Sequence, residues 1–182
     1  MFQWINDLLA WVARFVPQLL VVRRTHAGVA FVRGKYPKAL RPGIHIFWPI
    51  WTSITIYPTV LQSADLAEQT LITKDGKTVA VNGVVLYEVT DILALLTTIF
   101  EPDRLLKDYC LAAVKRVVCE RTLEELLADN TKLDRMLTGR MRRRFAKYGI
   151  NIVRATLTDT APCKVWKLWG FDRPTMQYDS VG

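Results

Sequence analysis

Large apolar side chains recur with helical spacing through the first 22 residues of the chain. When successive residues are placed about 100° apart, the large apolar residues share one half of the helix circumference and the polar residues share the other half. This separation predicts an amphipathic helix over residues 1–22 that lies in the plane of a membrane interface. The side chains expected to contact the membrane are Phe2, Trp4, Ile5, Leu8, Leu9, Trp11, Val12, Phe15, Val16, Leu19 and Leu20, followed by Arg23 and Arg24 beside the anionic headgroups.

Two other placements of this segment stay open. A helix that spans or re-enters the bilayer gains roughly −0.3 to −0.6 kcal/mol from each large apolar residue, whereas Arg14 near mid-membrane costs about +2.5 to +3.5 kcal/mol. The third placement is a helix packed on a soluble core. The sorting of polar residues onto one side favours the interfacial helix. No Lys or Arg precedes the apolar run, so we expect no secretory signal here.

From Thr25 onward, the helical spacing gives way to short runs of β-branched and aromatic residues separated by turn signals. These runs predict strands over 28–33, 44–48 and 53–57, with turns at 34–37 and 41–43.

A hairpin is predicted around Asp75-Gly76, a dipeptide that favours two-residue turns, with arms over 71–74 and 77–81. The second arm continues to Val89. Gly83 within that arm indicates a bulge or a close approach of two backbones.

After Asp91 the apolar spacing becomes helical again. Pro102 suits the first turn of a helix, and the segment from Thr122 to Glu125 has the pattern of a capping box that opens a short helix. A third helix is expected to end at Gly149 in the left-handed conformation, before a last strand over 150–157.

The predicted fold class is therefore α+β. The main domain would cover 23–158, with a β-rich lobe over about 23–90 and a lobe of helices and a closing strand over about 91–158. The amphipathic segment 1–22 precedes this domain, and a tail over 159–182 follows it.

No arrangement of residues with catalytic or metal-binding spacing accompanies these elements. His26 and His45 have no Cys, Asp or Glu at the spacing of metal ligands, and Cys110, Cys119 and Cys163 form no CxxC pair. The glycines fit neither a dinucleotide-binding nor a phosphate-binding loop. We therefore expect no catalytic residue, no metal and no cofactor, and a protein that works in a reducing compartment.

The chain is basic, with 25 Lys and Arg against 17 Asp and Glu and a formal charge of +8. Such a surface favours anionic lipid or nucleic acid as a partner. The densest cluster falls late in the third helix and comprises Arg140, Arg142, Arg143, Arg144 and Lys147. A solvated face that pairs with a neighbouring copy is the favoured interpretation, while contact with anionic lipid and contact with nucleic acid stay open. Aromatic residues for base stacking are missing around the cluster.

The tail over 159–182 combines aromatic and basic side chains. Lys164 and Lys167 lie between three aromatic residues that are expected to dock on a membrane interface, on a neighbouring copy or on the chain's own domain, namely Trp166, Trp169 and Phe171.

Several short motifs, taken in their order and spacing, resemble the SPFH or band 7 family, which includes stomatins, prohibitins and flotillins. In the first half they are Ala27-Gly28-Val29, Arg33-Gly34-Lys35, the segment from Leu40-Arg41-Pro42-Gly43 to Pro49, and Thr73-Lys74-Asp75-Gly76 before a Val-rich strand. In the second half they are the segments 113–118, 122–126 and 148–159. The match runs from about Arg23 to Asp159.

The resemblance implies a membrane-apposed α+β domain without an active site that assembles into rings or cages. It also implies that the segment 44–51, with Phe47, Trp48 and Trp51, lies closest to the bilayer, although these side chains could equally belong to the core. Two features differ from the family pattern: the N-terminal segment is short and amphipathic, and no long Ala- and Glu-rich coiled coil follows Asp159.

The sequence and the resemblance together predict a non-catalytic scaffold that forms a homo-oligomer on the cytoplasmic face of a membrane, as a monotopic or peripheral protein in contact with lipids. A small regulatory module that docks on a membrane protease or channel is the alternative, which the missing coiled coil favours. A basic nucleic-acid-binding protein is a third class, supported only by the cluster over 140–147.

Overall fold

The computed structural model describes residues 16–128 and 130–163 of the chain. Strands occupy the first part of this region: β1 (Gln18–Val22), β2 (His26–Val32), β3 (Tyr36–Leu40), β4 (Gly43–Phe47), β5 (Thr52–Pro58), β6 (Gln62–Ile72) and β7 (Thr78–Val89). Then come α1 (Ile92–Thr98), α2 (Pro102–Cys119), α3 (Leu123–Ala128), α4 (Asn130–Phe145), a 3-10 turn (Ala146–Tyr148) and β8 (Ile150–Pro162). The α+β class and the predicted order of strands, helices and a closing strand are confirmed.

Strands β1 to β5 form two small sheets, which together we call the β lobe, whereas β6 and β7 of the predicted β-rich lobe pair in a third sheet with β8. In one sheet β2 lies between β3 and β5 and is antiparallel to both, and in the other β1 and β4 form a two-stranded antiparallel ribbon. The ribbon rests on a small core in which Val22, Ala30 and Leu40 are buried and Leu20 and Ile54 are partly buried. A core of this size covers one side of the ribbon only.

The larger core lies between the sheet β6-β7-β8 and the helices. The central strand β7 alternates fully between buried and half-buried positions, because successive side chains of a strand point to opposite faces. Helix α2 packs on β6 and helix α4 packs on β8. The buried side chains with the least exposure include Leu95, Leu106, Val117, Leu126, Leu137, Phe145, Ile152, Val79, Val81 and Val85.

Hydrogen bonds to one carboxylate join the two lobes. Tyr57 of β5 and Tyr87 of β7 both donate to Oδ1 of Asp103 in the first turn of α2. Burial raises the pKa of Tyr57 and of Tyr87 above the ordinary tyrosine value, and acceptance by the Asp103 carboxylate adds to the rise for both. Both hydroxyls therefore stay protonated and able to donate at neutral pH.

The predicted N-terminal helix is wrong for residues 16–22, the part of it that the structure describes, because none of these residues is helical. Gln18–Val22 form strand β1, which pairs along its whole length with β4. The cause is a long-range interaction, since β4 supplies the backbone partners and the β lobe buries Val22. The predicted membrane residues from Phe2 to Phe15 lie outside the described residues.

Other strands differ in extent from their sequence predictions. The strands predicted over 28–33, 44–48 and 53–57 are found within two residues of those bounds. Strand β3 occupies part of a predicted turn and the first part of β6 was not predicted, because both segments carry few β-branched residues. Strand β8 continues past 157 to Pro162 because it pairs with β7 as far as Val79.

The predicted β6–β7 hairpin is confirmed with a longer loop. Ile72 pairs with Thr78, so residues 73–77 form a five-residue connection, and within it only Gly76 has a positive φ, of 76°. At Gly83 the β7–β8 register shifts, and an added Cβ would lie 2.7 Å from the Thr156 carbonyl oxygen. Both the bulge and the close approach predicted there are therefore present.

The helix boundaries agree with the signals in the sequence. Pro102 is the first residue of α2. The Glu125 amide donates to the Thr122 hydroxyl at 3.3 Å and the Thr122 amide donates to the Glu125 carboxylate at 3.4 Å, which is the reciprocal bonding of a capping box. Gly149 ends the helical segment with a φ of 73°.

Candidate functional site

The exposed side of the β1–β4 ribbon is apolar. Leu19 lies opposite Ile46 and Val21 lies opposite Ile44, and these four side chains are 64–70% exposed. We call this set, Leu19, Val21, Ile44 and Ile46, the ribbon face. Cross-strand pairs on one face of a sheet are in contact, so the four side chains form one continuous patch. Exposed apolar patches of this kind mark interaction surfaces.

The connection between β4 and β5 extends this apolar surface. Trp48, Ile50 and Trp51 follow the ribbon directly, and about half of each side chain is exposed. Tryptophan suits a membrane–water interface, because its ring is apolar and its indole N–H can still find a polar partner.

A cavity of about 430 Å³ lies between the ribbon and the sheet β3-β2-β5. Its apolar lining includes Phe47, Trp48 and Trp51, and its cationic groups come from Arg33 and Lys38. His45 also lines it, and the His45 Nε2 atom lies 2.7 Å from the Arg41 carbonyl oxygen. The cavity thus combines an apolar wall with a cationic rim and opens beside the ribbon face.

Arg33 occupies a strained backbone position at the rim of this cavity. Its φ is 53°, which is the left-handed region that only glycine enters without a steric cost. The Arg33 amide donates to the Trp51 carbonyl oxygen at 2.6 Å, and the Arg33 guanidinium carbon lies 5.5 Å from the centroid of the Trp51 ring. The two contacts hold the cation over the aromatic ring.

Charge is distributed unevenly between the lobes. From Val16 to Ala64 the sequence contains no Asp or Glu but six cations, Arg23, Arg24, Arg33, Lys35, Lys38 and Arg41. Arg23, Arg24 and Arg41 lie near the end of the ribbon where Val22 pairs with Gly43, and all three are exposed. The charged Lys, Arg, Asp and Glu side chains of this segment are therefore all cations.

The predicted membrane residues of the described region separate into two groups. Val16, Leu19, Trp48 and Trp51 are exposed, as are Arg23 and Arg24. Leu20 and Phe47 are half-buried, since neighbouring residues of a strand face opposite sides. Leu20 packs on the small core and Phe47 lines the cavity.

The basic cluster of α4 is bound largely to the chain's own groups. Arg140 forms an ion pair with Glu120 at 2.8 Å, and the hydrogen bond from Arg140 holds the pKa of that carboxyl below its usual range. Arg142 donates to the carbonyl oxygens of Ile152 and Val153 in β8 at 2.9 and 3.2 Å.

The remaining cations of the cluster contact aromatic rings or their own helix. Arg144 lies over Tyr109 and Lys147 lies over Tyr148, at 5.1 and 4.6 Å from the ring centroids, while Arg143 bonds the Gly139 carbonyl oxygen of α4. The structure thus spreads the cluster over several directions. The tail residues Trp166, Trp169 and Phe171 lie outside the described residues.

The described part of the chain contains no metal site and no helix that could span a membrane. Within residues 16–128 and 130–163, no group of His, Cys, Asp and Glu has the arrangement of a metal site. Burial raises the pKa of the Cys110 thiol to about 12, so this thiol stays protonated and unreactive. Over the same residues, no helix has both the length and the apolar content needed to cross a bilayer.

The sequence that forms this fold matches a known protein family. The sequence model of the SPFH domain / Band 7 family covers residues 20–167. The chain therefore belongs to the SPFH/band 7 family, and the predicted resemblance is confirmed.

Archaeal proteins are among the similar relatives. The chain is 26% identical over 139 residues to the stomatin homolog PH1511 of Pyrococcus horikoshii, which covers 76% of this chain and 52% of that protein. An uncharacterized protein of Archaeoglobus fulgidus is 25% identical over 156 residues, which covers 86% of this chain and 63% of that protein. The chain thus spans between about half and two thirds of the length of these two relatives.

A shorter relative also matches. The uncharacterized protein MJ0827 of Methanocaldococcus jannaschii is 22% identical over 161 residues, which covers 87% of this chain and 81% of that protein.

Proposed function

We propose that this chain is a non-catalytic, membrane-associated scaffold that docks on the cytoplasmic face of a membrane through the ribbon face. The observation that carries this proposal is the alternation of β1 and β4, which leaves Leu19, Val21, Ile44 and Ile46 exposed together beside Trp48 and Trp51. Full burial of a Leu, Ile or Val side chain contributes about 1.5–3 kcal/mol. Since the four residues are roughly two-thirds exposed, hydrocarbon contact would recover most of that energy for each.

The charge of the β lobe supports the same orientation. Arg23, Arg24 and Arg41 lie near one end of the ribbon and Arg33 lies over Trp51, while the segment from Val16 to Ala64 contains no carboxylate. A cation near an anionic leaflet contributes about 1 kcal/mol. Charge attraction would therefore add to the apolar contact.

Flotation of the full chain with phospholipid vesicles tests the proposal. An Ile46→Asp variant places a charge on the ribbon face. An Ile72→Asp variant is the matched control, because Ile72 is a strand residue of similar exposure, 60% against 70% for Ile46, in the sheet β6-β7-β8. We expect Ile46→Asp to reduce the floating fraction at least fivefold and Ile72→Asp to leave it unchanged. Equal flotation of the two variants would refute docking through the ribbon face.

We further propose, from membership of the SPFH/band 7 family, that the chain assembles with copies of itself on the membrane and organises a patch of lipid or partner proteins there. Mass photometry of the full chain in mild detergent separates this scaffold from a small regulatory module that docks on a membrane protease or channel. A single large species supports the scaffold. A stable monomer or dimer would favour the small module.

A further inference from the structure

We propose that the cavity between the ribbon and the sheet β3-β2-β5 binds the phosphate headgroup of an anionic phospholipid, with Arg33 and Lys38 as the phosphate ligands. This inference rests on the proposed docking of the ribbon face on a membrane. It adds a ligand class and a site, since docking of an apolar patch alone requires no particular headgroup.

The cavity has the size that a phospholipid headgroup needs, and its lining provides both apolar and cationic side chains. Its volume of about 430 Å³ falls within the range of roughly 300–1,000 Å³ that small-molecule pockets occupy. Phe47 and Trp48 supply apolar groups to the lining, and Arg33 and Lys38 supply cations. Trp48 follows the ribbon face directly, and about half of its side chain is exposed. A phospholipid held here can therefore keep its acyl chains along the ribbon while its phosphate lies against the two cations.

The cations of the cavity lack carboxylate partners from their own lobe. The ion pairs among the described residues all lie between residue 75 and residue 154, so none involves Arg33 or Lys38. Among the described residues that line the cavity there is no Asp or Glu, and the segment from Val16 to Ala64 contains none. An anion from outside would thus meet no opposing charge in the β lobe, which is the charge complementarity that a phosphate requires.

The backbone at Arg33 supplies a second, independent argument. Arg33 and Gly34 both have a positive φ, of 53° and 68°. Glycine adopts this conformation without steric cost, yet position 33 carries the bulky cationic side chain of Arg33. Strain of this kind is tolerated where the side chain has a function. The Arg33 guanidinium lies over the Trp51 ring, and a guanidinium in such a position can still offer its planar edge of N–H donors to a phosphate.

Vesicle binding with two matched lysine variants tests this site. Lys38 lines the cavity and Lys35 does not, although both are exposed cations of the same lobe, three residues apart. The probe vesicles contain phosphatidylcholine alone or phosphatidylcholine with about 30% phosphatidic acid. With the anionic vesicles, we expect Lys38→Gln to weaken binding of the full chain at least tenfold. Lys35→Gln should weaken it no more than about fivefold, the effect of one cation near a charged surface.

A second variant separates function from folding. Arg33→Gly removes both the cationic side chain that would bind the phosphate and the backbone strain. We therefore expect a higher urea midpoint of unfolding and a loss of the preference for anionic vesicles. A residue with only a structural role would lose stability instead. An Arg33→Gly variant that keeps its full preference for anionic vesicles would overturn the proposal.

The other outcomes are distinguishable. Equal losses of vesicle binding in Lys35→Gln and Lys38→Gln would show that general attraction to the charged surface, and not the cavity, causes the binding. Binding of wild-type protein to both kinds of vesicle with the same affinity would refute the headgroup site and leave membrane docking intact. Binding to neither would refute the proposed docking itself. We expect inorganic phosphate at 10-fold excess over lipid not to compete, and full competition would identify a soluble phosphate as the occupant instead.

Discussion

Leu19 of β1 lies directly opposite Ile46 of β4, and 70% of each side chain is exposed. Large apolar residues paired across two strands usually cover a core, and here the core lies on the other side of the ribbon, against Leu20 and Val22. A two-stranded ribbon is at best marginally stable by itself in water. Contact of its outer side with hydrocarbon would therefore both anchor the protein and stabilise the ribbon.

Hydrogen bonds to Asp103 contribute to the lobe junction, where α1 also packs on β2 and β3. Tyr57→Phe removes one donor to this carboxylate, and we expect the free energy of unfolding to fall by about 1.5–3 kcal/mol, as for hydrogen bonds to charged acceptors. Tyr36→Phe is the control, because Tyr36 is 69% exposed and should change stability by no more than about 0.5 kcal/mol. Urea denaturation measures both. Equal stability of the two variants would contradict a role of Tyr57 at the junction.

Alkaline pH should destabilise the fold through Tyr57 and Tyr87, the two tyrosines that donate to Asp103. Burial raises the pKa of Tyr57 and Tyr87 in the folded chain, whereas a tyrosine of the unfolded chain titrates near a pKa of about 10. The unfolded state therefore loses protons first, so the stability provided by these groups is present below pH 10 and is lost as the pH rises above it. Urea midpoints at pH 8 and pH 11 measure the loss.

A double variant serves as the control for this pH effect. With both Tyr57 and Tyr87 replaced by Phe, the difference between the midpoints at pH 8 and pH 11 should become smaller, because the groups that couple folding to proton release are absent. An unchanged difference would show that other groups cause the alkaline loss.

Two glycines of the helical lobe should respond to Ala in opposite directions. Gly139 lies inside α4, and an added Cβ there meets nothing within 4 Å, so Gly139→Ala should raise the free energy of unfolding by about 0.5–1 kcal/mol. Gly149 has a φ of 73°, and an added Cβ would lie 2.2 Å from the Asp91 carbonyl oxygen. Gly149→Ala should therefore destabilise the fold by at least about 2 kcal/mol. Thermal unfolding of both variants checks the pair, and a stabilised Gly149→Ala variant would contradict the packing of this corner.

Local signals in the sequence were sufficient to predict where the helices of the helical lobe begin and end. The capping box at Thr122 and Glu125, the proline at position 102 and the left-handed Gly149 each act through neighbouring residues, so their effects can be predicted without knowing the tertiary structure. The same is true of the strands that are rich in β-branched residues.

The ribbon could not be found in this way. The run from Leu19 to Val22 fits a helix or a strand, and the partner that decides between them, β4, lies more than 20 residues away. Helical spacing grouped Leu19 with Leu20, whereas the strand separates them onto opposite sides and groups Leu19 with Val21. The alternation of Ile44, His45 and Ile46 was the available signal for the other half of the ribbon face.

The cavity was also beyond prediction from the sequence. Arg33, Lys38 and Trp51 come from the end of β2, from β3 and from the connection before β5, and only the pairing of these strands brings them together. The absence of Asp and Glu between Val16 and Ala64 is, by contrast, visible in the sequence and indicates a cationic lobe.

The depth of spin labels in vesicle-bound protein tests the central claim most directly. In a chain with Cys119→Ser and Cys163→Ser, the buried Cys110 stays unlabelled, and a single label can be placed at Ile46 or, as the control, at Ile72. On addition of anionic vesicles, we expect the label at Ile46 to become accessible to oxygen and protected from an aqueous nickel chelate, while the label at Ile72 does not change. A label at Ile46 that stays fully accessible to the nickel chelate on bound protein would contradict docking through the ribbon face.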